Sequence, residues 1–210
     1  MKTLTILLFA LSINLSAQLS EITRFPLQDT TVSITRSQLF EAPNGNLIMF
    51  WREDGNLFMS KSLDDGSSWE SKILVVNDIQ TNGANNYLIR ALTTDDNKII
   101  LAYVSNLYDN NFYNTYYVKY LFSSDNGDSW TASKKVVDAG VVGMHFSLSK
   151  TLSGEIWMVF NSHYIKSIDN GNTWSDLQLL VDQEFTYKFT STSIQSLNDS
   201  TLILFYKNNA

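Results

Sequence analysis

The pattern S-x-D-x-G-x-x-W occurs three times in this chain without a gap. The copies are Ser62-Leu-Asp64-Asp-Gly66-Ser-Ser-Trp69, Ser123-Ser-Asp125-Asn-Gly127-Asp-Ser-Trp130 and Ser167-Ile-Asp169-Asn-Gly171-Asn-Thr-Trp174. Repetition at this scale dictates architecture before local propensity does, because each repeat is a unit that buries its apolar faces against its neighbours. A polar turn and an apolar run precede each copy. These are Asn44-Gly-Asn-Leu-Ile-Met-Phe50, Asp96-Asn-Lys-Ile-Ile-Leu-Ala-Tyr103 and Ser153-Gly-Glu-Ile-Trp-Met-Val-Phe160. A fourth run, Asn198-Asp-Ser-Thr-Leu-Ile-Leu-Phe-Tyr206, has no box after it. Short runs of β-branched and aromatic residues bounded by Asn, Asp, Gly and Ser read as buried strands after tight turns. Another short strand follows each box, as in Lys72-Ile-Leu-Val-Val76, Lys134-Lys-Val-Val137 and Leu177-Gln-Leu-Leu-Val181. The box tryptophans are 61 and 44 residues apart. Four strands at that period predict the blades of an all-β propeller.

The expected blades span about 34–78, 87–140 and 144–184, with a partial fourth over 189–210. The second is longer because of Asn106-Leu-Tyr-Asp-Asn-Asn-Phe-Tyr-Asn-Thr115, which predicts a surface loop of the kind that lines sites. Glu21-Ile-Thr-Arg-Phe-Pro-Leu27 reads as a ring-closing strand. With the fourth repeat ending before its box, the expectation is the N-terminal part of a longer propeller. Residues 1–17 read as a secretory signal. Lys2 is the positive n-region, Leu4–Ile13 the apolar core, and Leu15-Ser-Ala17 supplies a small residue before cleavage. The apolar core is too short to span a bilayer. The expected domain is therefore 18–210, in an extracytoplasmic compartment.

Composition removes other classes. With 44% apolar and 13% aromatic residues the chain has the material for a core and is not a disordered acidic segment. The absence of Cys excludes disulfides, a thiol nucleophile, Cys-ligated zinc, iron–sulfur clusters and a lipidated N-terminal Cys. A net charge of −6 repels phosphate backbones, so no nucleic-acid partner is expected. There is no Gly-x-Ser-x-Gly elbow to accompany His145 and His163, and no His-Glu-x-x-His pair for zinc. An EF-hand reading places Phe122 and Ser124 at the first two ligand positions before Gly127, and Phe122 cannot ligate calcium. No metal and no cofactor is expected.

Each box reads as a structural turn. Its Asp (Asp64, Asp125, Asp169) accepts backbone N–H bonds in the manner of an Asx-turn, which predicts a donor two residues on. Its Gly (Gly66, Gly127, Gly171) takes a positive φ. Its Ser (Ser62, Ser123, Ser167) bonds back into the turn, and its Trp (Trp69, Trp130, Trp174) fills the gap beside neighbouring strands.

These boxes make the chain resemble the sialidase (neuraminidase) superfamily in its bacterial neuraminidase (BNR), Asp-box repeat form, over about 34–206. The resemblance implies a six-bladed propeller and an exo-acting glycoside hydrolase on sialylated or related acidic glycans. It further implies an arginine triad for the substrate carboxylate, an Asp as general acid/base, and a Tyr nucleophile activated by a Glu. Arg36 occupies the place of the family's first arginine, with Ser37-Gln38 where the family has Ile-Pro. Trp51-Arg52-Glu-Asp54-Gly55 offers an arginine, Arg52, and an acid/base, Asp54. The same Asp-Gly reads equally as a two-residue hairpin turn. Arg90, in Leu88-Ile-Arg90-Ala-Leu92, matches no family motif. A charge inside an apolar strand wants a partner or a ligand, and either a salt bridge or the central channel would provide it. Tyr103, Tyr108, Tyr113, Tyr116, Tyr117 and Tyr120 have no nucleophile context. The implied partner is a glycan or glycoconjugate. A non-catalytic secreted propeller that binds glycan or protein, and a purely structural module, are the other readings the boxes allow, because a fold does not fix a function.

Overall fold

The computed structural model describes residues 35–53, 55–77, 88–108, 114–138, 145–160, 163–180, 189–199 and 201–208. The leader, the 21–27 stretch and Asp54 lie outside the described residues. The described elements are all strands, and no helix among the described residues is long and apolar enough to cross a membrane. The first sheet holds β1 (Thr35–Glu41), β2 (Leu47–Glu53), β3 (Asn56–Ser62) and β4 (Ile73–Val76). The second holds β5 (Ile89–Thr93), β6 (Ile99–Tyr108), β7 (Asn114–Ser123) and β8 (Lys134–Asp138). The third holds β9 (Phe146–Lys150), β10 (Ile156–Phe160), β11 (His163–Ser167) and β12 (Gln178–Leu179). The fourth pairs β13 (Phe189–Asn198) with β14 (Thr201–Asn208). Every sheet is an antiparallel meander in chain order. The first strands of successive sheets, β1, β5, β9 and β13, lie beside one another and form the inner row.

Alternation along each strand divides the core between the sheets. In β2, Ile48 and Phe50 turn toward the second sheet and bury fully with Leu57, Met59, Ile99, Leu101 and Tyr103. In β6, Ile100 and Ala102 turn toward the third sheet and join Phe146, Ile156 and Met158. Each fully buried side chain of this size contributes about 1.5–3 kcal/mol from area removed from water. Side-chain acceptors tie the inner row. Gln38 Oε1 accepts the Ala91 N–H at 3.0 Å, and Ser147 and Ser149 Oγ accept the Ile194 and Ser196 N–H at 3.1 and 2.9 Å.

The three boxes share one geometry. Ser62, Ser123 and Ser167 Oγ donate to Asp64, Asp125 and Asp169 Oδ1 at 2.8, 2.7 and 2.7 Å. The same hydroxyls accept the N–H of Gly66, Gly127 and Gly171 at 2.7, 2.7 and 2.8 Å. The main carboxylate bond goes four residues on, not two: Ser68, Ser129 and Thr173 N–H donate to Oδ1 at 2.7, 2.9 and 2.9 Å. The reason is the turn at its centre. Asp65, Asn126 and Asn170 have φ of 56, 56 and 58°, and the glycines after them 89, 86 and 82°. Two successive positive φ values form a type I′ turn, which carries the chain past the near donors. Trp130 then meets Phe50 edge-on at 5.8 Å, and Trp174 meets Tyr120 at 5.9 Å. Each of these boxes is thus seated on the sheet before it. The β6–β7 connection also departs from expectation. Asn106, Leu107 and Tyr108 pair with Tyr116, Thr115 and Asn114, so the insert prolongs the hairpin and is not an irregular loop up to its tip. Leu, Thr and Tyr are good strand formers, and they outweigh the asparagines interspersed among them.

Candidate functional site at the β2–β3 end

The meander sorts the connections by end. The boxes and the β1–β2, β5–β6 and β9–β10 turns occupy one end. The starts of the inner strands and the β2–β3, β6–β7 and β10–β11 hairpins occupy the other. Every arginine singled out in the sequence falls at that second end. Arg36 follows Thr35, whose cross-strand partner is Arg52. Arg90 precedes Ala91, whose N–H is held by Gln38, two residues from Arg36. The backbones of Arg36, Arg52 and Arg90 therefore meet where β1, β2 and β5 adjoin. Arg36 lies in a stretch of β1 where the register shifts, between Thr35 and Gln38.

The arginines differ in setting. Arg52 is 4% exposed, on the strand face shared by Ile48 and Phe50, inside the packing between the first and second sheets. Arg90 is half-buried, and its Nη1 donates to the Ile89 carbonyl at 2.9 Å. Register places Gln38, Arg90, Ser147 and Ser193 at equivalent points, opposite Phe50, Ala102, Val159 and Phe205. Gln38 and Ser147 use this position to accept an N–H from the next inner strand. A guanidinium has no acceptor and cannot serve that purpose. Arg90 thus breaks the structural pattern of the inner row and puts a fixed positive charge there.

Asp54 is outside the described residues, but its hairpin is defined by its flanks. Glu53 pairs with Asn56, which leaves a two-residue connection, and Gly55 has φ of 80°. The sequence reading passed over Glu53, which is buried at this end. Glu53 accepts the Trp51 indole N–H at 3.1 Å and the Lys72 ammonium at 2.5 Å. Lys72 also lies 4.7 Å above the ring of Phe58, and Phe58 stacks on Trp51. The alternation Trp51-x-Glu53 was the available signal, since residues two apart on a strand share a face. His145, just before β9, and His163, first in β11 opposite Phe160, also stand at this end. Burial lowers the His163 pKa from its ordinary value and favours the neutral imidazole. At the opposite end, hydrogen bonds from Ser129 and Thr173 hold the Asp125 and Asp169 carboxyls down at about 2. These carboxylates stay ionised and engaged within their turns.

No family model and no curated sequence matches the chain. Solved structures do. A protein of unknown function from Dyadobacter fermentans superposes with a TM-score of 0.61 at 15% identity, over 87% of this chain and 64% of that one. The NanB sialidase from Streptococcus pneumoniae gives 0.56 at 13% identity, over 84% and 48%. An alpha-L-arabinanase from Penicillium chrysogenum, solved with arabinobiose, gives 0.50 at 13%, over 82% and 57%. The fold is a β-propeller. The chain spans about half to two thirds of the length of these matched chains. At such identities the likeness is one of fold.

Proposed function

We propose that this chain belongs to a secreted carbohydrate-processing propeller, an exo-acting glycoside hydrolase of the sialidase type on sialylated or related acidic glycans. The observation that carries the reading is the gathering of Arg36, Arg52 and Arg90 at one end of β1, β2 and β5, with Arg90 standing where its counterparts are hydrogen-bond acceptors. A guanidinium fork pairs bidentately with a carboxylate, so Arg36 and Arg90 would anchor an acidic sugar, with Arg52 buried behind them between the sheets. Asp54, on the adjoining hairpin, would protonate the leaving oxygen if apolar walls keep its proton on. The prolonged β6–β7 hairpin rises at the same end and would wall the site. The neighbours named for sialidase and arabinanase activity support a glycan as ligand. Residues 1–17 would direct export and be removed.

A second reading is a secreted propeller that binds glycan without turnover. The two-residue β2–β3 connection favours it, since an Asp-Gly connection of that length is an ordinary hairpin turn. Release of fluorophore from an aryl sialoside by the whole protein, compared with Arg36→Ala and Arg90→Ala, separates the two. The hydrolase reading expects turnover that Arg36→Ala abolishes and Arg90→Ala cuts at least tenfold. Absence of turnover, with acidic glycans retained on an array in an Arg90-dependent way, leaves the binding propeller.

A further inference from the structure

The inner row repeats one inter-strand bond, and at the junction of β5 with β9 the acceptor is replaced. Gln38 of β1 faces the second sheet, as its cross-strand partner Phe50 does, and accepts the Ala91 N–H of β5 at 3.0 Å. Ser147 of β9 pairs with Val159 and accepts the Ile194 N–H of β13 at 3.1 Å. Arg90 of β5 pairs with Ala102, which packs into the cluster shared with the third sheet, so Arg90 faces that sheet. The N–H held in each case belongs to the residue after the equivalent position, Ala91 after Arg90 and Ile194 after Ser193. In β9 that residue is Leu148, which follows Ser147. At the β5–β9 junction the chain therefore sets a donor opposite a donor.

The guanidinium stands at the edge where the Leu148 N–H opens. Arg90 Nη1 donates to the Ile89 carbonyl at 2.9 Å. Ile89 and Ala91 are two residues apart, so the carbonyl of one and the N–H of the other open to the same, inner edge of β5. By equivalence with Ala91, the Leu148 N–H opens to the inner edge of β9. The strands β5, β9 and β13 contain no Asp or Glu, and the acidic residue of β1, Glu41, closes its far end. The described inner strands thus supply no carboxylate at this height. Two donors, one of them cationic, are both satisfied by an anion between them, and a backbone N–H beside a guanidinium makes charge-assisted bonds to it.

We propose that an anion bridges the Arg90 guanidinium and the Leu148 N–H, joining β5 to β9 as Gln38 and Ser147 join the other inner strands. The carboxylate of an acidic glycan and an inorganic anion such as chloride share this chemistry. The glycan as source rests on the reading above; the seat itself does not. A carboxylate held there is fixed by a rigid backbone donor as well as by a side chain, between the second and third sheets.

Amide NMR of the isotope-labelled 210-residue chain, with sodium N-acetylneuraminate or sodium chloride added in separate titrations, tests the proposal. The expected result is a saturable shift at Leu148. The Ala91 and Ile194 amides, already held by side-chain acceptors, stand still. Arg90→Gln installs the acceptor that β1 carries at this place. In that variant Leu148 stops responding to either anion, and its amide proton exchanges more slowly than in the anion-free parent. Arg90→Lys keeps the charge without the fork and needs a higher anion concentration for the same shift. Saturation by N-acetylneuraminate alone makes a glycan carboxylate the occupant, and saturation by chloride as well makes it a general anion seat. No shift with either anion overturns the proposal. So does an equal drift at all three amides, which marks general screening, and so does an Arg90→Gln chain that titrates like the parent. None of these readouts requires turnover, so their failure is distinct from failure of the hydrolase assay.

Discussion

The seating of each box on the previous sheet makes a quantitative prediction at the three box glycines. Gly66, Gly127 and Gly171 have nearly the same φ, 89, 86 and 82°, so alanine pays the same backbone penalty at each. A non-glycine residue in the left-handed region costs about 1–2 kcal/mol. The surroundings differ. The new methyl at Gly66 stands 3.6 Å from Leu47 Cδ1, an ordinary contact. At Gly127 it stands 3.0 Å from Ile48 Cδ1, which must give by a few tenths of an ångström. At Gly171 it falls 2.5 Å from Ile100 Cδ1 and 3.4 Å from the Phe122 ring, inside a filled cluster. Forcing a methyl into packed surroundings adds about 1–3 kcal/mol. Gly66→Ala should therefore lose about 1–2 kcal/mol and Gly171→Ala about 2–5 kcal/mol, with Gly127→Ala between them. Urea unfolding followed by tryptophan fluorescence gives the three midpoints, and an unchanged slope keeps the comparison valid. Equal losses at all three sites, or the largest loss at Gly66, would refute the claim that the second and third boxes are seated on a preceding sheet while, among the described residues, the first is not.

Other perturbations have equally definite outcomes. Asp125 and Asp169 have folded pKa values of about 2, below the unfolded value, so their contribution is complete above about pH 4 and lost as pH falls toward 2. Asp169→Asn should flatten acid unfolding over that window, as read by circular dichroism. His163 has the same sign of dependence in a higher window, since burial disfavours its cation: stability should fall as pH drops below about 6.5 and level off under the folded pKa. A His163→Gln variant removes that slope, and an imidazole proton titration by NMR should give a midpoint below that of a free histidine. Gln38→Ala takes away the acceptor for the Ala91 N–H, which should cost about 1–3 kcal/mol and speed hydrogen exchange at Ala91 more than at Leu101.

The chain by itself determined the repeat, and with it the architecture. Three boxes, four turn-plus-strand runs and their spacing leave few alternatives to a propeller, because a sheet with two apolar faces must be covered on both. Parts of the box were legible yet passed over: the hydroxyl residue before each Trp, Ser68, Ser129 or Thr173, is the main donor to the carboxylate, and all three stand at the same place in the sequence. What only the tertiary structure decided is which surfaces meet. Strand alternation says that Ile48 and Met49 face opposite ways, but not that Ile48 carries the second box while Met49 stays half-buried. Arg90 looked like a charge in an apolar strand. Its significance came from register across sheets, which showed its counterparts Gln38 and Ser147 to be acceptors for the next strand. Glu53 escaped notice because its partners, Trp51 and Lys72, include one that is 19 residues away. Local patterns fix strands and turns because those depend on neighbours along the chain. Long-range contacts such as these depend on how sheets pack, and no short window of sequence holds that information.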